Sequence, residues 1–301
     1  MKRLLIAFCL AATMSAAGPL EVVCTLTDLG WLAAEVGGDD VTVSVLCPGE
    51  YDPHFLPPRP SLARKLGKAD LLCYNGLELE VGWLPVLVDK ARNPRVRAGQ
   101  PGSLDCADAL ETILEVPERA ISRAQGDVHP FGNPHYLLDP RNGLRVAWLM
   151  AARFGELKPE AADRFRERAR ELEARLTPRI EAWHAAAAPA RARPLVHYAK
   201  QWEYLEAWLE LECLGAVEHR PGISPSPRHV DELVDRARAV GVRELLAAPW
   251  NHLDVAQKAA DRMDATMVIL PAAVGSQEGA DSYPAMFDLI VERLAAAAEA
   301  P

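Results

Sequence analysis

No apolar run in this sequence of 301 residues reaches the roughly 20 residues that a membrane-spanning helix needs. Positive charge is not in excess either, since 33 Lys and Arg stand against 42 Asp and Glu, for a net charge of −9. An acidic chain suits a cation or a neutral ligand better than nucleic acid. Half of the residues are apolar, which excludes the disordered class with its low apolar content.

Cysteine is scarce, with six in the chain, and no two of them have CxxC spacing. Five of the six lie beyond residue 17, an odd number that predicts no complete disulfide framework. We interpret these five as small buried apolar residues. A bridge between Cys24 and Cys47 stays open.

The first 17 residues have the order of a secretory signal peptide. Two basic residues precede the apolar residues 4–12, and the small residues Ser15 and Ala17 follow where signal peptidase would cut. The apolar stretch is too short to span a membrane. We therefore predict cleavage before Gly18 and a secreted protein, located in the periplasm of a Gram-negative cell.

Short apolar runs that match strands alternate with helical patterns along most of the chain. The predicted strands are 20–25, 41–46, 69–74, 194–198, 242–247 and 266–270. The predicted helices between them are 28–35, 62–66, 83–91, 203–211, 229–239, 255–263 and 283–298. Strands that alternate with helices predict parallel sheets covered by helices on both faces.

In the middle of the chain, the spacing of apolar residues predicts one long helix from Pro159 to about Ala187. Pro159 suits the first helical turn, whereas Pro178 predicts a kink. The apolar positions recur every three or four residues and form one stripe. They are Phe165, Ala169, Leu172, Leu176, Ile180 and Trp183.

The sequence thus predicts an α/β protein of two lobes, each a parallel sheet flanked by helices, joined by one long spine helix. We expect little hinge motion, because a helix joins the lobes rather than flexible strands. The predicted divisions are a signal peptide at 1–17, an N-terminal lobe at 18–157, a linking helix at 158–188 and a C-terminal lobe at 189–301.

Three of the eight histidines are predicted to lie in loops or strand ends that face the crevice, namely His54, His135 and His197. In parallel sheets the carboxyl ends of the strands form the crevice that binds ligands. Imidazole is a common ligand for zinc-like cations and binds as the neutral ring. We predict that the three histidines share one ion, with His252 as a candidate fourth ligand. His129 is interpreted as a solvated loop residue, with guidance of a cation into the cleft as the alternative.

Three motifs surround these histidines. They are Pro48-Gly49 with Asp52-Pro53-His54, Gly132-Asn133-Pro134-His135-Tyr136, and His197-Tyr198 followed by Tyr204-Leu205. In these motifs, and over nearly all of the chain beyond residue 17, the sequence resembles the ZnuA-like substrate-binding proteins of zinc and manganese ABC importers. The resemblance implies two α/β lobes, a spine helix, a metal ion bound between the lobes and a membrane permease as partner.

The sequence departs from this family at the fourth ligand. Members often carry an acidic residue just after the strand predicted at 266–270, where this chain has Leu270-Pro271-Ala272. No carboxylate is evident for the cleft, so the fourth position stays open. The candidates are a water molecule, His252, Asp254 and Glu278.

Three imidazoles favour Zn(II) over Mn(II), because manganese prefers more oxygen ligands. We therefore predict a monomeric zinc carrier that binds no nucleic acid and gives its ion to an ABC permease. The competing functions are a carrier of Mn or Fe, a binder of a metal chelate or an adhesion partner, and a zinc hydrolase. The sequence contains no HExxH, no GxSxG and no glycine-rich phosphate loop, so we predict that the protein is not an enzyme.

Overall fold

The computed structural model describes residues 18–117, 129–218 and 222–299. The predicted signal peptide at 1–17 lies outside these residues. The strands are β1 Leu20–Cys24, β2 Val41–Val45, β3 Leu71–Tyr74, β4 Ser103–Asp105, β5 Leu195–Ala199, β6 Cys213–Glu218, β7 Glu244–Ala247 and β8 Thr266–Ile269. The α-helices are α1 Thr27–Gly37, α2 Pro60–Lys68, α3 Leu84–Ala91, α4 Pro140–Leu157, α5 Ala162–Ala186, α6 Glu203–Leu209, α7 Pro227–Val240, α8 Leu253–Met263 and α9 Tyr283–Glu299.

Each lobe is built on one four-stranded sheet in which all neighbouring strands are parallel. The strand order is β2-β1-β3-β4 in the N-terminal sheet and β6-β5-β7-β8 in the C-terminal sheet. Helices flank both sheets, so the predicted fold class is confirmed. Because the two sheets share one order, the loops after the first strands of each lobe occupy corresponding places.

Three elements lie where the sequence predicted none. Strand β4 has only three residues, and β6 is interrupted by Gly215, so neither shows a clear apolar pattern. Helix α4 begins at Asp139, whose side chain accepts a hydrogen bond of 2.9 Å from the Arg141 N–H, and Pro140 occupies its first turn. These are ordinary signals for the start of a helix.

The predicted spine helix is confirmed as α5, preceded by a 3-10 turn at Pro159–Ala161. All six positions of its predicted apolar stripe are buried. Pro178 lies inside the helix, which continues past it to Ala186. Helix α5 packs against α1 and α4 of the N-terminal lobe and against α9 of the C-terminal lobe.

One cluster of buried apolar side chains runs through both lobes and includes Leu29, Phe165 and Phe287. A polar contact accompanies it, since the Asp28 carboxylate accepts a hydrogen bond of 3.1 Å from the Val274 N–H in the other lobe. A shared core resists relative motion of the lobes, because opening them would expose apolar surface. This arrangement supports the expectation of little hinge motion.

Among the helices of the described residues, none is both long and apolar enough to cross a membrane. Cys24 and Cys47 are buried and carry free thiols, so they do not form the bridge that the sequence left open.

Candidate metal centre

Three histidine side chains meet at the cleft, namely His54, His129 and His135. One ring nitrogen of each lies within 4.8 Å of the other two. The ring centroids are 5.2 Å apart for His54 and His129, 5.3 Å for His54 and His135, and 6.4 Å for His129 and His135. The Nε2 atoms of His54 and His129 are 3.2 Å apart. Nitrogens this close share a proton or a cation.

His54 is oriented by Asp52 in the loop that follows β2. The ring Nδ1 of His54 lies 2.6 Å from the Asp52 Oδ1, which also accepts the backbone N–H of His54 at 2.9 Å. This contact assigns the ring proton to Nδ1 and leaves Nε2 as the metal-binding atom. Burial alone raises the pKa of Asp52, but the hydrogen bonds and charge of His54 bring it below its usual value. Asp52 is therefore a carboxylate that increases the basicity of the ring.

His135 is positioned by Asn133, a buried residue of the same loop. The Asn133 Oδ1 accepts the backbone N–H of His135 at 2.9 Å. The Asn133 Nδ2 donates to Glu203 at 2.9 Å and to Glu115 at 3.2 Å. Glu203 belongs to α6 of the C-terminal lobe, so this amide connects the histidine loop to the other side of the cleft.

The environment of His135 keeps its ring neutral. Burial lowers the pKa of His135 well below its usual value, and the nearby rings of His54 and His129 lower it further. A neutral imidazole has a lone pair available for a cation, whereas an imidazolium has none. His135 is therefore ready to bind a metal ion near pH 7.

A cavity of about 120 Å³ adjoins the histidines and lies between the lobes. Its N-terminal side includes Asp52, His54 and His135, and its C-terminal side includes Glu218 and His252. His252 is exposed and directly precedes α8. The predicted candidates His54, His135 and His252 thus line one cavity.

Glu218 brings a second carboxylate to this cavity, which the sequence had not predicted. It ends β6 and accepts the Gly222 N–H at 2.8 Å. Burial raises the pKa of Glu218. Because strand β6 was not predicted, there was no reason to expect the carboxylate of Glu218, its last residue, at the crevice. The expectation of a cleft without a carboxylate was therefore wrong.

His129 lies in a place that the sequence did not predict, whereas His197 lies in its predicted strand but apart from the other two histidines. His129 is partly buried against His54, so its interpretation as a solvated residue was wrong. Its sequence signal is a second histidine six residues before His135, with a proline and a glycine in between. His197 is buried in β5, where it lies with Glu206 and Cys213 rather than in the group of three histidines.

The protein thus has two α/β lobes, each with a parallel sheet, and a candidate metal centre beside the cavity between them. The family described as "Zinc-uptake complex component A periplasmic" matches residues 22–297. The chain therefore belongs to this family, and the resemblance found in its sequence is confirmed.

Curated relatives include proteins named for two metals. The manganese ABC transporter substrate-binding lipoprotein scaA of Streptococcus gordonii is 27% identical over 153 residues, which cover 50% of this chain and 46% of the relative. The high-affinity zinc uptake system protein ZnuA of Brucella abortus is 23% identical over 151 residues, which cover 50% of this chain and 45% of the relative. The chain thus spans about half the length of these relatives.

Solved structures share the fold over nearly the whole chain. A zinc-bound crystal structure of a ZnuA deletion mutant has a TM-score of 0.77 at 22% identity, and the match covers 94% of this chain and 99% of that chain. The Mn-bound periplasmic metal binding protein from Candidatus Liberibacter asiaticus has a TM-score of 0.74 at 20% identity, covering 92% and 98%. At these identities the likeness establishes the fold.

Proposed function

We propose that this protein is an extracytoplasmic carrier of a divalent metal ion, Zn(II) in the first place, that delivers its ion to the permease of an ABC importer. The observation that supports this most directly is the meeting of three imidazoles beside a cavity between two lobes. Imidazole suits zinc. Membership of the family, and the zinc and manganese named for its relatives, support the same class of cargo.

His54, His129 and His135 form the ligand set in this proposal. Zinc–nitrogen bonds of about 2.0–2.1 Å in a tetrahedron put neighbouring nitrogens about 3.3 Å apart. The distance of 3.2 Å between the Nε2 atoms of His54 and His129 fits such an edge. The ligand atoms of His54 and His129 thus have the separation that a zinc ion would require, and the His135 ligand atom lies within 4.8 Å of both.

The candidates for the fourth ligand are His252 and Glu218, which line the C-terminal side of the cavity, and a water molecule. Asp254 and Glu278, which the sequence also allowed as ligands, are exposed and do not line this cavity. Three imidazoles with at most one carboxylate favour Zn(II) over Mn(II).

The prediction that His197 binds this same ion stays a prediction. Its ring lies with Glu206 and Cys213, and it does not line the cavity beside His54 and His135. His129 therefore takes the third place in the proposed ligand set.

Transport requires that the ion be released as well as held. Three neutral ligands leave most of the ion's charge uncompensated, so it is held less firmly than in a closed structural site with thiolates. We propose that the protein acts in the periplasm as a monomer, with no nucleic-acid partner and no enzymatic activity. A hydrolase would need a positioned general base beside a metal-bound water, and Asp52 is already engaged in orienting His54.

Zinc affinity in single variants tests the proposed ligand set. Equilibrium dialysis with elemental analysis measures the affinity for zinc. We expect a loss of more than the 10–100-fold that is typical of residues that only hydrogen-bond a metal ligand, in each of the variants His54→Ala, His129→Ala and His135→Ala. His184→Ala is the matched control, because His184 contacts Arg191 in another region. Unchanged affinity in any one of the three cleft variants, His135→Ala included, would contradict the proposed ligand set. Zinc-dependent hydrolysis that His135→Ala abolishes would favour the hydrolase instead.

The stabilising effect of zinc should depend on pH. Zinc raises the melting temperature by mass action, and protons compete with it for the imidazoles. We expect a zinc-dependent rise at about pH 7.5 that shrinks strongly by about pH 5.5, on either side of the usual imidazole pKa. Differential scanning fluorimetry with and without zinc measures it. A rise of equal size at both pH values would show that histidines do not hold the ion.

A further inference from the structure

A second group of ligand-type side chains lies inside the C-terminal lobe. One ring nitrogen of His197, the Cys213 sulfur and one carboxylate oxygen of Glu206 all lie within 4.8 Å of one another. His197 is 3% exposed and Glu206 is 8% exposed, while Cys213 is partly buried. Burying a histidine, a carboxylate and a thiol together is costly unless their charges and hydrogen bonds are compensated.

The backbone brings these side chains together at an irregularity of the sheet. Leu195 of β5 pairs with Cys213 of β6, and the register then shifts by one residue before His197. Gly215 lies in this bulge with a φ of 149°, a value that favours glycine. Since alternate residues of a strand share a face, Cys213 lies on the same side as His197. Helix α6 places Glu206 against that side.

Hydrogen bonds account for this group only in part, since the Cys213 thiol donates to the Gly215 carbonyl oxygen at 3.6 Å. The His197 Nδ1 and the Glu206 Oε1 are 3.2 Å apart, yet neither has a hydrogen-bond partner of acceptable geometry among the described residues. The two atoms are close but do not point along a mutual bond. A distance of 3.2 Å matches the edge of about 3.3 Å between two ligands of a tetrahedral zinc ion.

We propose that His197, Glu206 and Cys213 form a second metal site that takes Zn(II) or another thiophilic divalent cation. Thiolate, imidazole and carboxylate are all zinc ligands, whereas Mn(II) and Mg(II) are disfavoured by the sulfur. Binding releases the thiol proton of Cys213 and any proton held by His197, and it forms bonds to sulfur, nitrogen and oxygen. The ion would connect β5, β6 and α6 within one lobe. This site does not depend on the cleft site.

The rival explanation is a proton in place of the metal. Burial lowers the pKa of His197, but the neighbouring Cys213 and Glu206 outweigh it and raise the pKa to about 10. Without a metal, the group would then hold an imidazolium beside a carboxylate. Both explanations compensate the buried charge, so the test must detect a metal–sulfur bond directly.

Cobalt(II) used as a zinc substitute reports that bond. A cysteine thiolate bound to cobalt gives an intense near-ultraviolet charge-transfer band, which a site made only of histidines and carboxylates lacks. We expect the full mature chain to bind two cobalt ions and to show this band. Cys213→Ser should lose the band and one ion, and Glu206→Gln should weaken binding of the same ion. His129→Ala should keep the band and lose the other ion.

Cys106→Ala is the matched control, because Cys106 is buried in the other lobe and should leave the band unchanged. A band that persists in Cys213→Ser, or a wild type that binds one ion with no band, would overturn the second site. It would also be overturned if His197→Ala removed the only ion while Cys213→Ser and Glu206→Gln retained it. A wild type that binds only one ion and shows the band would refute the proposed function and leave the second site standing. Circular dichroism confirms that each variant is folded.

Discussion

Asp52 orients the His54 imidazole at the cleft, because its short carboxylate contact assigns the ring proton to Nδ1. Asp52→Asn keeps the size of the side chain but removes the charge that holds the proton on the His54 Nδ1. Outer partners of this kind typically contribute 10–100-fold to metal affinity. We expect zinc affinity to fall by about that factor, as measured by competition with a chromophoric chelator.

An exposed aspartate on α8 provides the control for this change. Asp254→Asn removes one negative charge without touching the cavity, so it should leave zinc affinity within about twofold, as expected for a screened surface charge. Equal losses in both variants would mean that general charge, rather than the orientation of His54, determines affinity.

At this scale the sequence predicted the residues held by local motifs. His54 and His135 lie in loops with prolines and a preceding Asp or Asn, and in both cases that Asp or Asn side chain bonds the histidine's backbone. His129 and Glu218 were not predicted because their places depend on contacts between segments distant in sequence. Local spacing indicates that a loop is rigid, but it does not show which loops meet.

The loop after β2 makes a close approach to the loop after β8. A Cβ atom at Gly49 would lie 2.0 Å from the Val274 carbonyl oxygen, which belongs to the other lobe. Gly49→Ala must therefore push the two loops apart. Because His54 follows in the same loop, we expect a lower melting temperature and weaker zinc binding in this variant.

Gly82→Ala is the control for this prediction, since a Cβ there would meet the His54 carbonyl oxygen at an ordinary 3.5 Å. It tests the loss of glycine flexibility without a backbone clash. If Gly49→Ala had the same melting temperature and zinc affinity as Gly82→Ala, the two loops would not be in tight contact in solution.

Most elements with a strong apolar period were predicted, but helix α4 was missed although its buried Val146, Met150 and Phe154 recur at helical spacing. Helix α5 has six buried apolar residues at helical spacing, and the central strands are nearly continuous apolar runs. Strand β4 is only three residues long, and the glycine in β6 breaks its pattern. Edge strands such as β4 and β6 gain their structure from pairing with a neighbour, which a single run of residues does not show.

At the scale of the whole molecule, a continuous apolar core and several polar contacts join the two lobes, among them the hydrogen bond that the Tyr283 hydroxyl donates to the Leu137 carbonyl oxygen. In the proposed function, the ion would be bound and released with small movements near the cleft, because separating the lobes would expose the core around α5. Buried ionisable groups at the boundary between the lobes then affect stability directly. Asp28 is such a group, since it is 4% exposed and bonds Val274 across the boundary.

Asp28 should make the stability of the metal-free protein depend on pH. Burial raises its pKa to about 7, against the hydrogen bond from Val274, which lowers it. Between the usual pKa of a free aspartate, about 4, and pH 7, the folded protein keeps the proton that the unfolded chain has lost. This contribution is fully present below about pH 4 and is lost as pH rises through 7. Asp28→Asn has no such proton. Its free energy of unfolding, measured with urea, should therefore increase relative to that of the wild type from about pH 5 to about pH 8. Asp281 is exposed, so the free energy of unfolding of the control Asp281→Asn should change with pH as it does in the wild type. If Asp28→Asn also followed the wild type at every pH, Asp28 would be ionised in the folded protein.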